Sequence, residues 1–450
     1  MGEKSASDSP PSGKARTYAR SVELSARARR LIPGGAHTYA KGADQFPEHA
    51  PVVITHGSGC HVWDVDGNEF IEYGMGLRAV TLGHAFPPVI EAVAAELSRG
   101  VNFSRPSVLE LQCAERFAEL IPGAEMVKFC KDGSHAVDAA IKLARAYTGR
   151  DMIARCSDHP FFSTSDWFIG STDMKAGIPE WIRQHTLGFP YNDIAALTRL
   201  FDEWPGRIAC VVMEVARTEG PAPGYLAQVR DLCHARGAVF IIDEMITGFR
   251  WNLRGAQAEY GVQADLSTFG KALANGFSVS ALCGRRELME LGGFDHDRAR
   301  VFLMSTTHGA ETHGLAAAMA TMKFYQSNPV IETLYARGAR LRRGIEAIVS
   351  ELKLEKYFGL TSRDCGLLFV TRDEAGKPSQ AYRTLFLQEL IDRGVIAPSL
   401  VVSYSHTEQD IDRTIEIIGE ALSVYARALQ EGIGKYLRGR PVKPAVREFA

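Results

Sequence analysis

One lysine stands apart in this chain. Between Asp265 and Arg285, in the run ADLSTFGKALANGFSVSALCGRR, Lys271 is the only charged side chain. Its neighbours are mostly small, apolar or hydroxylic, with glycines at 270 and 276. Most lysines are solvated surface groups, but one set in such a run is expected to be at least partly buried. Burial strips hydration from the ammonium and lowers its pKa. A neutral amine is what Schiff-base chemistry with a carbonyl compound requires.

Two carboxylates belong with it. IACVVMEV (208–215) and AVFIID (238–243) read as strands, joined by a helix at 224–236, the length of a parallel crossover. The first carries Glu214 near its end; the second ends in Asp243, followed by Glu244 and a turn through Thr247 and Gly248. Ligands bind beyond the carboxyl ends of strands in open α/β sheets. Taken alone, both carboxylates read as solvated groups past the strand ends, and only Lys271 shifts that balance. A third feature is FCKDGSHAVDAAIKLARAYTG (129–149), a strand running into Asp132-Gly133-Ser134 and then a helix. Free N–H groups at that helix start, with the Ser134 hydroxyl, suit a phosphate. Many helices begin this way, so one such turn is weak by itself. Neither G-x-G-x-x-G nor G-x-x-x-x-G-K-[ST] occurs, so nucleotide cofactors gain no support.

These groups need a scaffold. At 450 residues the chain exceeds one small core, so two domains or one large α/β domain are expected. Residues 17–32 read as a helix, broken by Pro33-Gly34-Gly35. Two strand-like stretches follow at 51–59 and 60–73, the second with an Asp66-Gly67 turn signal. From about 86 helices alternate with short apolar strands: helices in PPVIEAVAAELSRG and SVLELQCAERFAELIPG, a strand in EMVKFCK, an Ala-rich helix from Ser134. Residues 331–450 mix long amphipathic helices with strands such as CGLLFVT, and Thr407 with Asp410 forms an N-capping pattern. The expected division is a large α/β domain over 75–330, with a smaller α+β domain built from 17–74 and 331–450. Residues 1–16 are polar and rich in Ser, Pro and Gly, read as a disordered leader of a cytoplasmic protein. A net charge of −2 gives no bulk attraction to nucleic acid or an anionic membrane. No apolar run reaches the length of a membrane span. The eight cysteines form no C-x-x-C pair and read as reduced buried thiols, with no metal site among them.

With these residues in place, the chain resembles class III aminotransferases of fold type I, and within them the glutamate-1-semialdehyde aminomutase-like branch. The resemblance runs from about 30 to 425. Its most specific blocks are FIIDEMITGFR (240–250) and LSTFGKALANGF (266–277), supported by IPGG (32–35), VWDVDGNEFIEY (62–73), GHAFPPVIEA (83–92), AIKLARAYTGR (140–150) and MEVARTEG (213–220). It implies a mostly parallel seven-stranded sheet flanked by helices, a smaller α+β domain, and pyridoxal 5′-phosphate as cofactor. Lys271 matches the residue that holds the cofactor aldehyde, and Asp243 the one that pairs with the pyridine nitrogen. Gly133 and Ser134 match the phosphate turn, Glu214 the Glu beside the ring, and Ile246 the aliphatic residue under it. Thr307 matches a Thr that the family donates to the phosphate from the neighbouring subunit, which implies a homodimer.

The departures are informative. Where the family has Tyr-His-Gly for ring stacking, this chain reads Asp158-His159-Pro160-Phe161-Phe162, leaving His159 or Phe161 as the stacking group. The common S-G-T-E/D-A phosphate turn reads Asp132-Gly133-Ser134-His135-Ala136. The 158–180 segment is similar to that of sugar aminotransferases of the 8-amino-octulosonate type. The aminomutases carry a carboxylate-gripping Arg after the PGG turn; here the segment runs to Lys41 without one. Arg and Lys are not interchangeable at such a site. The resemblance therefore implies an aminotransferase that moves an amino group from an amino-acid donor, L-glutamate first among them, to an aldehyde or ketone, keto and aldehydo sugars included. An aminomutase is the alternative, and a non-catalytic binding protein the least supported. Lys41 and Arg78 are the candidate substrate contacts, with Arg105 and Arg250 as further cations able to meet a carboxylate or serve structure.

Overall fold

A computed structural model of the chain describes residues 16–447, so the leader expected over 1–16 lies, apart from Arg16, outside the described residues. Every residue of Ile208–Glu214 and of Val239–Asp243 is buried. Short β-branched runs buried on both faces are the mark of central parallel strands. They lie side by side in a seven-stranded sheet whose order is 126–130, 280–284, 266–269, 239–243, 208–214, 152–156 and 186–189. Ser280–Gly284 runs antiparallel to both its neighbours. The remaining pairs are parallel, giving the mostly parallel α/β sheet expected.

Register then places the chemistry. Glu214 pairs with Asp243, and Asp243 with Thr268. Neighbouring strands sit about 4.8 Å apart, so these three residues form one row along the carboxyl edge. Gly133–Thr148 packs its Ala-, Val- and Leu-rich face against the sheet. It starts at Asp132, whose carboxylate accepts from the His135 N–H at 3.1 Å, and stops at Gly149 in a left-handed cap, φ 70°.

A second sheet holds Ile54–Ser58, His61–Asp64 and Glu69–Glu72 as antiparallel neighbours, and Val395–Ile396 joins its edge in parallel. The stretch read as 60–73 is thus two strands, folded back at Gly67, φ 84°. The helix expected at 17–32 spans Ala19–Leu31, and Thr407 with Asp410 caps Glu408–Glu431 as expected. All eight cysteines are buried and free. Among the described residues no helix is long and apolar enough to cross a membrane.

Two strained turns interlock beside the sheet. Met75, Leu77 and Arg78 all adopt positive φ (43°, 58° and 70°), and so do Lys271 and Asn275 (43° and 45°). Such conformations are costly for residues with a Cβ and persist only where surrounding structure fixes them. Asn275 ties its own turn to the chain just past the other: Oδ1 accepts from Leu82 N–H at 2.8 Å and Nδ2 donates to the Gly83 carbonyl at 3.0 Å. Arg250, 1% exposed, donates from Nη2 to the Arg78 carbonyl and to Thr81 Oγ1.

Candidate active site

Lys271 follows the strand Leu266–Phe269 by two residues and opens a single helical turn, Lys271–Ala274. Its amine makes no hydrogen bond or ion pair with the described residues. Burial pushes its pKa below the ordinary lysine value, and the carboxylates of Asp243 and Glu214 oppose that push. Asp243 is 3% exposed. Its Oδ1 accepts from Met245 N–H at 2.8 Å and Thr268 Oγ1 at 3.2 Å, while Oδ2 receives no hydrogen bond from the described residues. Burial raises this carboxyl to about 6, against the pull of Lys271. Glu214 is also 3% exposed, and its Oε2 is buried without a partner. Burial, then repulsion from Asp243, raises it to about 7, against Arg217, Lys271 and Arg78. The row along the sheet edge is therefore two desolvated carboxyl groups sharing the charge of one desolvated amine.

The wall beyond Glu214 is His159. It is 2% exposed, and its Nδ1 accepts from the Glu214 N–H at 3.0 Å. That contact puts the ring proton on Nε2. Burial, helped by Arg217, lowers the imidazole to about 4. The ring leans on Tyr191 and Phe162, with centroids at 5.1 Å and 6.2 Å. Asp158, which stands at the family's Tyr position, accepts from Tyr191 N–H at 2.7 Å and so anchors the turn. Phe161 is exposed and packs edge-on against Phe168 at 5.6 Å.

Met245 joins the phosphate turn to the row. A Cβ on Gly133 would sit 2.8 Å from the Met245 sulfur, and one on Gly270 would sit 2.7 Å from it. Both are sub-van-der-Waals approaches, so the backbone comes this close only because those positions are glycine. Ser134 Oγ accepts from Thr164 N–H at 3.1 Å. Ile246, half-buried, is next in the Met245 turn. Thr307 is exposed; its carbonyl accepts from Asn102 Nδ2 at 2.9 Å. Its loop is tied to the phosphate turn through an ion pair of Glu311 with Lys131, two residues before Gly133.

Of the residues named from sequence, Lys271, Asp243, Glu214, His159, Gly133 and Arg78 thus share one region. Arg78 is half-buried and lies within electrostatic reach of Glu214 and Lys271. Lys41 is placed differently. It lines an apolar cavity of about 660 Å³ beneath the N-terminal segment, with Phe46, Glu72, His84 and Pro398. That cavity shares Gly74, Gly76 and Leu77 with the strained turn but contains none of the carboxyl row. Arg105 is exposed. Arg250 is a brace below Arg78. Arg217, half-buried three residues after Glu214, sits in the block MEVARTEG, but nothing in its local pattern separates it from a solvated loop arginine.

The residues fit a pyridine cofactor bearing an aldehyde and a phosphate. Asp243 Oδ2 is a buried acceptor free for a ring N–H, Lys271 is a desolvated amine, and the Gly133 turn offers helix-start donors. Residues 42–422 match the model of the class-III aminotransferases. The chain is 34% identical over 424 residues to glutamate-1-semialdehyde 2,1-aminomutase of Acetivibrio thermocellus, spanning 89% of this chain and 97% of that protein. It is 31% identical over 423 residues to 3-aminobutyryl-CoA aminotransferase of Cloacimonas acidaminovorans, spanning 91% and 98%. Among solved structures it is similar to the FumI protein of Sphingopyxis sp. MTA144 in its PLP internal aldimine form, with TM-score 0.84 and 28% identity over 92% of this chain and 98% of that one. A matched family model, a fold shared with PLP-bound enzymes and a lysine–aspartate pair suited to that cofactor agree: the chain belongs to the class-III aminotransferase family of fold type I pyridoxal-phosphate enzymes.

Proposed function

We propose that the protein is an aminotransferase that takes an amino group from an amino-acid donor, L-glutamate foremost, and delivers it to an aldehyde or ketone, with keto and aldehydo sugars as an acceptor class. The observation that carries this is the row Glu214–Asp243–Thr268 with Lys271 at its end: two desolvated carboxyl groups around one desolvated amine. Bound pyridoxal phosphate supplies the electron sink for charge developing at the substrate carbon. Asp243 Oδ2 would hold the proton at the pyridine nitrogen. Lys271 Nζ would hold the cofactor aldehyde and would serve as the base at the substrate carbon. Gly133 and Ser134 would hold the phosphate, Ile246 would support the ring, and Glu214, its carboxyl raised by burial, would stand beside it. His159 and Phe161 are the candidates for covering the ring.

Transfer is favoured over mutation within one substrate by the 33–41 segment. It carries no Arg to grip a five-carbon aminomutase substrate, and Lys41 lies in a separate cavity. A mutase must retain its intermediate, whereas a transferase must release a keto product. L-Glutamate alone is expected to convert the holoenzyme to its pyridoxamine form and release 2-oxoglutarate, read by visible absorbance and product assay. Rapid conversion of glutamate-1-semialdehyde to 5-aminolevulinate, without response to any amino donor, would establish the aminomutase reading instead, in keeping with the name of the Acetivibrio relative.

The working unit we propose is a homodimer, with Thr307 serving the partner's phosphate. Phe103, Val108 and Leu111 are exposed by 52%, 65% and 60% beside Asn102, the residue bonded to Thr307. Apolar surface of this kind marks an association face. Sedimentation at working concentration should give a dimer, and full activity in a species sedimenting as a monomer would contradict it.

A further inference from the structure

The start of the second sheet meets the start of a C-terminal helix in a cluster that the cofactor chemistry does not use. His61 opens His61–Asp64, with Cys60 just before it, and Asp410 lies in the first turn of Glu408–Glu431. Cys60 Sγ donates to Asp410 Oδ2 at 3.3 Å, and His61 Nε2 stands 3.1 Å from Asp410 Oδ1. Ligand atoms of these three residues all lie within 4.8 Å of one another, the one group of three so placed among the described residues. Cys60 is 1% exposed, while the side chains of Asp410 and His61 are 14% and 31% exposed, so the cluster is shielded yet reachable from the imidazole side. The imidazole proton sets up a conflict. With that proton on Nε2, toward Asp410, Nδ1 presents a lone pair to Glu69 Oε1 at 2.8 Å. A cation on Nε2 removes the conflict, because the proton then sits on Nδ1, the side facing Glu69. A carboxylate beyond the far nitrogen is what fixes the tautomer and ring of a metal-bound imidazole. The competing answer is an imidazolium between two acids, and the Asp410 contact does raise the His61 pKa against burial.

We propose that Cys60, His61 and Asp410 bind one zinc ion, through Cys60 Sγ, His61 Nε2 and Asp410 Oδ1, with water in the fourth position. The inference is independent of the aminotransferase reading. A thiolate, an imidazole and a carboxylate form a mixed set that suits zinc and disfavours magnesium and calcium, which take oxygen ligands. Zinc holds sulfur at about 2.3 Å and nitrogen or oxygen at about 2.0–2.2 Å, so tetrahedral ligand atoms sit roughly 3.3–3.6 Å apart. The contacts of 3.1 Å and 3.3 Å to Asp410 are near that spacing, and small side-chain shifts complete it. On binding, a sulfur–zinc bond replaces the Cys60 S–H bond and that proton leaves to solvent, while the imidazole keeps its proton on Nδ1. Asp410 is already oriented: Thr407 N–H donates to its Oδ2 at 2.8 Å and Thr407 Oγ1 donates to the same oxygen at 2.7 Å, leaving Oδ1 toward His61. The ion would tie the N-terminal sheet to the C-terminal helix. Cys60 and Asp410 are 350 positions apart in the chain, so no spacing motif announces the site.

The test uses the cofactor-loaded protein, stripped of metal by a chelator and desalted. Incubation with zinc chloride and a second desalting should leave one zinc per chain, bound with a Kd of roughly 1 μM or below, weaker than a closed four-ligand site. X-ray absorption at the zinc edge should show one sulfur at about 2.3 Å beside nitrogen and oxygen ligands. Cys60→Ala and His61→Gln should each weaken zinc binding at least about hundredfold, since each removes a ligand. Glu69→Gln, which touches no metal, should weaken it by about 10–100-fold, as the loss of an outer-shell carboxylate does. Zinc should raise the unfolding temperature of the parent and leave that of Cys60→Ala unchanged. A parent that retains no zinc would overturn the site and leave His61 as an imidazolium between two acids. A zinc edge without sulfur would overturn it as well, even if the variants failed to fold. So would undiminished zinc in folded Cys60→Ala and His61→Gln proteins, which would mark the metal as an adventitious ion only.

Discussion

Lys271→Ala protein is expected to hold pyridoxal phosphate only non-covalently and to lose amino transfer by at least roughly 10⁴-fold, because general-base catalysis alone contributes about 10²–10⁴-fold and the covalent route is lost as well. The amine is desolvated, senses the carboxylates of Asp243 and Glu214, and makes no hydrogen bond or ion pair with the described residues. Borohydride reduction of the unmodified holoenzyme followed by peptide mapping should place the pyridoxyl label on Lys271. A label on another lysine, or a Lys271→Ala protein that retains more than about a hundredth of the activity, would refute the assignment. The fold should survive the change, since the Lys271 amine makes no hydrogen bond with the described residues and its turn is held by Asn275.

Asp243→Asn is expected to cut turnover by roughly 10²–10³-fold or more, the range seen when a single preorganised electrostatic partner is removed. The amide can still accept from Met245 and Thr268 but cannot hold the ring nitrogen proton. Its effect on stability has the opposite sign. Burial raises the Asp243 carboxyl from an ordinary 3.8 to about 6, so the folded state binds its proton more tightly than the unfolded chain does. A group raised in this way contributes stability that is full below the unfolded pKa and lost as pH rises through about 6. Cofactor-free Asp243→Asn should therefore be more stable than cofactor-free parent at about pH 8, by up to about 3 kcal/mol, with the gain shrinking toward about pH 4. Thermal unfolding of both apoproteins across that range checks it. A gain that did not vary with pH, or a loss at about pH 8, would show that Asp243 is not a desolvated carboxylate held for the cofactor. In the holoprotein the ring N–H answers the carboxylate, and the advantage of Asn should vanish.

What could be read from the sequence follows from range. The strands ending at Glu214 and Asp243 declare themselves through unbroken buried runs, and Lys271 through an otherwise uncharged segment. Each of those signals lies within a single stretch of chain. Met152–Cys156 and Thr186–Phe189 gave no such signal, being short and interrupted by Arg155 and Gly188. Ser280–Gly284 gave no direction, because its antiparallel setting is decided by Met126–Cys130, far away in the chain. Lys41 looked like a substitute for a missing Arg on sequence position, but the turns of 33–45 lead it into another cavity. His159 was placed as a ring neighbour by family pattern; its bond to the Glu214 N–H needed the strand end to be built first.

The left-handed run at 75–78 also limits which side chains its positions can take in the laboratory. A saturation library at position 78 does not sample twenty equivalent side chains. At φ 70°, β-branched residues are disfavoured, whereas Gly, Asn and Asp are tolerated best. Variants selected at that position will thus be filtered first by backbone torsion. Arg217 lies outside the positive-φ positions and carries no such filter. Of the two arginines, Arg217 is the less constrained by its own backbone.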